Sequence, residues 1–219
     1  MANLPKRPVP VFPLPGVVMF PHAAMPLHIF ELRYRTMVRD ALSGERLIAL
    51  ATLKPGWKAD YHGSPAFHEI GCVATFESVE WLPNDCYDLR LRGVTRARFV
   101  RVAREFPYRA CDVEVLPSSP YDEDDPLAGM EREALLETTR RLLPLGAEAW
   151  TQPPLTATDA SFESVVNHIA QASRLSTEAR LELLAIDSVF DRARRLHELL
   201  KTITAAPPPG PPGPALGQN

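Results

Sequence analysis

The clearest pattern in the chain is a helical stripe. Tyr34, Met37, Val38, Ala41 and Leu42 recur at i, i+3, i+4, i+7 and i+8, with Arg33, Arg35, Arg39 and Asp40 on the opposite face. This spacing predicts a helix from about Phe30 or Glu31 to Ser43, ended by Gly44 in a left-handed conformation. Val11 to Phe20 precedes it, apolar but broken around Pro13–Gly16. Proline lacks an N–H, so a strand here belongs at a sheet edge or bends there. Pro21 to Pro26 reads as a loop, and Pro21–His28 as a candidate for partner contacts. Leu47–Leu53 is a continuous apolar run, the pattern of a strand covered on both sides. After a long loop over 54–68, strands are expected at Ile70–Leu82, Tyr87–Leu91, Val94–Val102 and Tyr108–Leu116, with turn chemistry at Pro83–Asp85 and a bend or bulge at Gly93.

The period changes after Pro117. Helical spacing is found over about 126–143, 161–173, 177–186 and 188–204, with Ser176 and Asp187 as N-caps. Four helices with mostly short connections predict a compact antiparallel bundle, interrupted by a loop over Pro144–Ala160. The expected division is an extended lead-in over 1–10, a β-rich unit over 11–118, a helical subdomain over 119–204 and a disordered Pro/Gly-rich tail over 205–219. Short strands at this spacing indicate a small barrel, and the class is α+β.

Composition narrows the function. A net charge of −3 gives no global reason to expect nucleic acid or an anionic membrane. No apolar run approaches the ~20 residues of a membrane span, and prolines follow Lys6 and Arg7 where a signal peptide carries its apolar core. Cys72, Cys86 and Cys111 are odd in number, widely spaced and in strand-like contexts, which reads as buried free thiols in a cytoplasmic protein.

Several constellations have a plainer reading beside a chemical one. His22, His28, His62 and His68 are too scattered for a structural zinc site, so no metal is expected. Arg90, Arg92, Arg96, Arg98, Arg101, Arg104 and Arg109 form a candidate basic patch; the plainer reading pairs them with Glu77, Glu80, Asp85 and Asp88 on solvated strand faces. Nothing places two of those carboxylates in one pocket for acid–base work. Phe76, Trp81 and Tyr87, with His22 and His28, are the candidate partner surface, Trp81 and Tyr87 pairing across a hairpin; the competing reading is core. The PxxP spacing of Pro208, Pro211 and Pro214 fits a ligand of a proline-reading domain as well as plain disorder.

Three blocks in register carry a family resemblance. Phe12-Pro-Leu-Pro-Gly-Val-Val-Met-Phe-Pro21 with Met25-Pro-Leu27 resembles the start of the Lon protease N-terminal domain. His68-Glu-Ile-Gly-Cys-Val-Ala74 and Leu91-Arg-Gly-Val-Thr-Arg-Ala-Arg-Phe99 resemble two of its strands, and Leu175–Leu200 its helical segment. The resemblance covers roughly 10–203. It implies a PUA-like mixed β-barrel with one packed helix and a helical subdomain, recognising substrate polypeptides and helping to assemble the oligomer. No glycine precedes a lysine, so the Gly-Lys-Ser/Thr phosphate cradle is absent, and no peptidase motif lies near Lys6, Lys54, Lys58 or Lys201. The expectation is a stand-alone, non-catalytic binding module without cofactor. Its expected partners are unfolded or hydrophobic polypeptide segments, or a protease or chaperone that receives them. The alternative is an RNA-associated PUA-like protein using the arginine-rich strands.

Overall fold

The computed structural model describes residues 8–61, 63–142 and 160–203. His62, the lead-in before Pro8, most of the expected 144–160 loop and the proline-rich tail lie outside them. In order the elements are β1 (Val9–Leu14), β2 (Ala24–Ile29), α1 (Leu32–Ser43), β3 (Leu47–Thr52), a 3-10 turn (Trp57–Asp60), β4 (Ile70–Trp81), β5 (Tyr87–Arg104), β6 (Ala110–Leu116), α2 (Pro126–Leu142), α3 (Phe162–Ala172), α4 (Thr177–Ala185) and α5 (Val189–Ile203). The class is α+β, as the pattern predicted.

One mixed sheet runs β2-β5-β4-β3-β1-β6, and β6 pairs again with β5. The expected barrel is therefore a sheet curled back on itself. Its seam is narrow, because β1 and β6 share only the pairs Val9–Cys111 and Pro10–Ala110. The long β5 holds the curl together, pairing with β2 over Tyr87–Arg92, with β6 over Arg96–Arg104 and with β4 along its other side.

The stripe of α1 packs as its spacing requires. Tyr34, Met37, Val38 and Ala41 are buried, against Ile48, Leu50, Cys72, Ala74, Leu89 and Leu91 of the sheet. At about 1.5–3 kcal/mol per large side chain, the helix face contributes on the order of 5–10 kcal/mol. The helix ends at Gly44, but with φ −111°; the left-handed residue is Arg46, with φ 58°. β3 is buried on both faces, as its unbroken apolar run predicted. Cys72, Cys86 and Cys111 are free and buried.

β1 is not an edge strand, since it lies parallel to β3 and beside β6; of the two outcomes expected at Pro13–Gly16 the chain takes the bend, turning at residues 15–16 with Gly16 at φ 67°. Val11 N–H donates toward β6, to Arg109 C=O at 2.8 Å. Pro13, two residues on, has its missing N–H on that same side, where β6 has not yet begun. The predicted loop over Pro21–Pro26 is in its second half the strand β2, and this strand is the edge.

β5 runs unbroken through Gly93. The register steps from Val73–Thr95 to Ala74–Gly93, so Val94 is the extra residue of a bulge. A second bulge leaves Glu77 unpaired between Phe76–Leu91 and Ser78–Arg90.

The helices pack on one another around Leu135, Leu136, Phe162, Val165, Val166, Ile169, Leu183, Val189, Leu196 and Leu200. Val18, Phe20 and Ala23, from the segment after β1, complete this core. Ser176 caps α4 by accepting from Ala179 N–H at 3.2 Å. The cap of α5 is Ser188, which accepts from Asp191 N–H; the expected cap, Asp187, is engaged elsewhere.

Candidate functional site

The β4–β5 hairpin and the β2–α1 corner meet at one end of the sheet. Ile29, Tyr87 and Trp81 lie side by side across β2, β5 and β4. Cross-strand partners share a face. Ile29 and Tyr87 are buried, whereas Trp81, at the end of the row, is 70% exposed. Phe30 follows Ile29 at 55% exposure and Leu32 opens α1 at 65%. Neighbouring strands lie about 4.8 Å apart, so Ile29 and Trp81 are separated by about 10 Å. Trp81 thus stands in solvent at one end of an otherwise buried row, and Phe30 and Leu32 stand in solvent just beyond its other end.

The corner is pinned by Asp85. This residue takes a left-handed φ of 62° in the hairpin turn, where aspartate is better tolerated than most residues. Its carboxylate accepts from Arg35 of α1 at 2.7 Å and from the Trp81 indole at 3.3 Å. Next to it His28 pairs with Asp88 at 2.6 Å and stacks on Phe30, ring centroids 6.1 Å apart.

Of the predicted partner surface, Trp81 and His28 belong to this corner. Phe76 and Tyr87 do not contribute an exposed face, because both are buried in the core under α1. His22 is exposed, with φ 66°, and its C=O accepts from Arg92. Phe30 and Leu32 were missed. The available signal was that Leu32 lies off the α1 stripe, and that Phe30 would lie on it only if the helix began earlier.

The arginines divide. Arg90 and Arg92 both bind Glu77, whose bulged position lets one carboxylate reach two guanidiniums. Arg101 pairs with Asp112. Arg98 is exposed, opposite Ile70 and Glu114. Arg96 belongs to no surface patch, being 1% exposed. It donates to Leu184, Ile186 and Pro117 carbonyls, each at 3.0 Å, and to Asp187 at 2.8 Å. Beside it Arg192, also buried, reaches Glu163, Asn167 and Ile186 C=O. These two side chains satisfy the carbonyls at the end of α4 and tie the helices to the sheet.

Burial pushes the Glu163 carboxyl up, but hydrogen bonds from Ser118 and Arg192 outweigh it and hold the pKa below the ordinary value. For His168, burial and then Arg92 lower the pKa. In both cases the unfolded chain binds more protons. Stability is therefore complete above both unfolded values. It is lost from pH 6.5 downward as His168 charges, and again below pH 4.5 as Glu163 is neutralised. Thermal melts over pH 3–8 should show both declines, and Glu163→Gln should flatten the second; an unchanged acid limb in that variant would contradict the assignment.

Among the described residues no three His, Cys, Asp or Glu side chains are placed to hold a metal ion. Glu80 and Asp88 are cross-strand neighbours, but both are exposed. A groove of about 490 Å³ between the sheet and α4 has an apolar floor of Ile70, Leu181 and Ala185. None of the described helices is long and apolar enough to cross a membrane.

Residues 8–202 match the model of the ATP-dependent protease La (Lon) substrate-binding domain. The chain belongs to the Lon substrate-binding domain family. Lon protease 1 of Herpetosiphon aurantiacus is 25% identical over 207 residues, covering 88% of this chain and 24% of the relative. The Lon protease of Desulfosudis oleivorans is 31% identical over 100 residues, 46% of this chain and 12% of the relative. The chain thus corresponds to about a quarter or less of these relatives. The crystal structure of a Lon N-terminal domain protein from Xanthomonas campestris superposes with a TM-score of 0.59 at 27% identity, covering 89% of this chain and 98% of that one. The N-terminal domain of a Mycobacterium avium complex Lon protease superposes at 0.63 with 20% identity, which shows the shared fold. Substrate recognition is the general role of this family, and the resemblance read from the three sequence blocks is correct.

Proposed function

We propose that this protein captures exposed apolar stretches of unfolded polypeptide at the corner formed by Phe30, Leu32 and Trp81, and hands them to a protease or chaperone. One observation supports the reading: three large apolar side chains at the same end of the sheet, Trp81 in register with Ile29 two strands away and Phe30 and Leu32 directly after Ile29, are each more than half exposed. Apolar patches of this kind are used for binding, and tryptophan is enriched among the side chains that dominate interface energies. The role calls for no catalytic group in the described residues. Three buried free thiols agree with a reducing, cytoplasmic setting. The RNA alternative is less favoured, because Arg96 is buried and Arg101 pairs with Asp112, which interrupts the run of arginines as a basic surface.

The test compares a chemically unfolded protein with its folded form at micromolar concentration. The unfolded form should bind preferentially. Trp81→Ala should weaken binding about tenfold, or ~1.4 kcal/mol, with little change in Tm, since the side chain is exposed. Equal affinity for folded and unfolded forms would overturn the reading. Steeply salt-dependent RNA binding would favour the alternative.

A further inference from the structure

The outer side of β2 is an open sheet edge, and its polar groups can be assigned. Gly93 N–H donates to Ala23 C=O, while the Gln171 side chain of α3 donates to Ala24 C=O at 2.8 Å. Backbone groups alternate in direction along a strand. Those of Met25, Leu27 and Ile29 therefore face β5, and those of Ala24, Pro26 and His28 face outward. No described strand pairs with β2 on that side. Gln171 covers Ala24, which leaves the Pro26 C=O and the His28 N–H and C=O: acceptor, donor, acceptor. The missing N–H of Pro26 falls on this open side, so it removes nothing from the sheet.

The two faces beside the edge differ. On the core face, Met25 and Leu27 are only partly buried and pack against the sheet–helix core. On the other face, Arg92 and Arg90 stand opposite Ala24 and Pro26. Those intervening side chains are short, so the next strand out is within reach of both guanidiniums. One carboxylate, Glu77, serves the two of them.

We propose that an extended acidic segment, with apolar and acidic residues alternating, adds to β2 as a seventh strand. Its apolar side chains cover Met25 and Leu27, its carboxylates meet Arg90 and Arg92, and its backbone bonds Pro26 and His28. This rests on the polypeptide-recognition reading and supplies its binding mode. It also gives the two paired arginines a role in selecting the client.

The experiment uses the full chain and a ten-residue peptide alternating valine and glutamate. Bound peptide should slow hydrogen exchange of the His28 amide at least tenfold. N-methylation of alternate peptide amides should weaken binding about tenfold. The double variant Arg90→Glu, Arg92→Glu should transfer preference to a valine–lysine peptide. Absence of peptide binding, binding without His28 protection, or indifference to N-methylation each overturns strand addition. An unfolded client still captured through Trp81 in those cases leaves the recognition reading standing; loss of that capture as well removes both.

Discussion

Replacing Arg96 by methionine should lower Tm by about 10 °C. The expected loss is ~3–5 kcal/mol, as for removal of one partner from a buried charged network, and each kcal/mol is worth about 2–4 °C in a chain of this size. Most of this comes from the carbonyls rather than from the ion pair. Leu184 would lose its donor in a buried setting and Pro117 in a partly buried one, while Ile186 keeps Arg192; an unpaired buried polar group costs about 1–3 kcal/mol. Asp187 is two-thirds exposed, so its attraction to Arg96 is weakened by solvent. Asp187→Asn should therefore cost less than about 1 kcal/mol. Matched losses in the two variants, measured by thermal or urea unfolding, would show that the ion pair dominates instead.

The second large effect is expected at Gly93. A Cβ there would lie 2.1 Å from Phe20 O, 2.9 Å from Phe20 C and 3.0 Å from Pro21 Cα. These are backbone atoms, so no flexible side chain can swing aside. The strand cannot shift either, because Gly93 N–H donates to Ala23 C=O and its own C=O accepts from His22 N–H. Gly93→Ala should cost about 3 kcal/mol or more, at or above the usual range for overpacking. Gly129 is the control. It lies within α2 with nothing inside 4 Å of its would-be Cβ, so Gly129→Ala should stabilise by about 0.5–1 kcal/mol. If both substitutions prove neutral in denaturant titration, the close approach at Gly93 is wrong.

This glycine explains why the family pattern was readable. Gly93 and Gly71 are the glycines of the two strand blocks, and each faces backbone: Gly93 the Phe20 carbonyl, and Gly71 the Leu50 carbonyl, whose oxygen would lie 2.2 Å from an added Cβ. The blocks thus record places where chain segments touch without room for a side chain. The α1 stripe, the β3 run and the four later helices were legible because burial and period coincide there. β2 was hidden by Pro21 and Pro26, which read as loop punctuation although one of them sits harmlessly on an outer edge. β1 bends after Leu14 and still lies inside the sheet, because Pro13 removes only one N–H and the strand pairs on both sides. Arg96 was beyond sequence reasoning. It shares strand parity with exposed Arg98, and what buries it is contributed some 90 positions later. At the candidate site Trp81 was legible from its hairpin, while Phe76 and Tyr87 disappear under a helix whose exact reach the pattern did not define.

The helical core borrows Val18, Phe20 and Ala23 from the start of the chain and closes with Leu200. During synthesis these early residues leave the ribosome roughly 180 residues before their last partner. At about 5–20 residues per second, the interval is on the order of 10–35 s. For that time a nascent chain with a folded sheet would carry an apolar strip awaiting its helices. On the proposed reading, a recogniser of unfolded polypeptides would thus itself be one for up to half a minute of its synthesis.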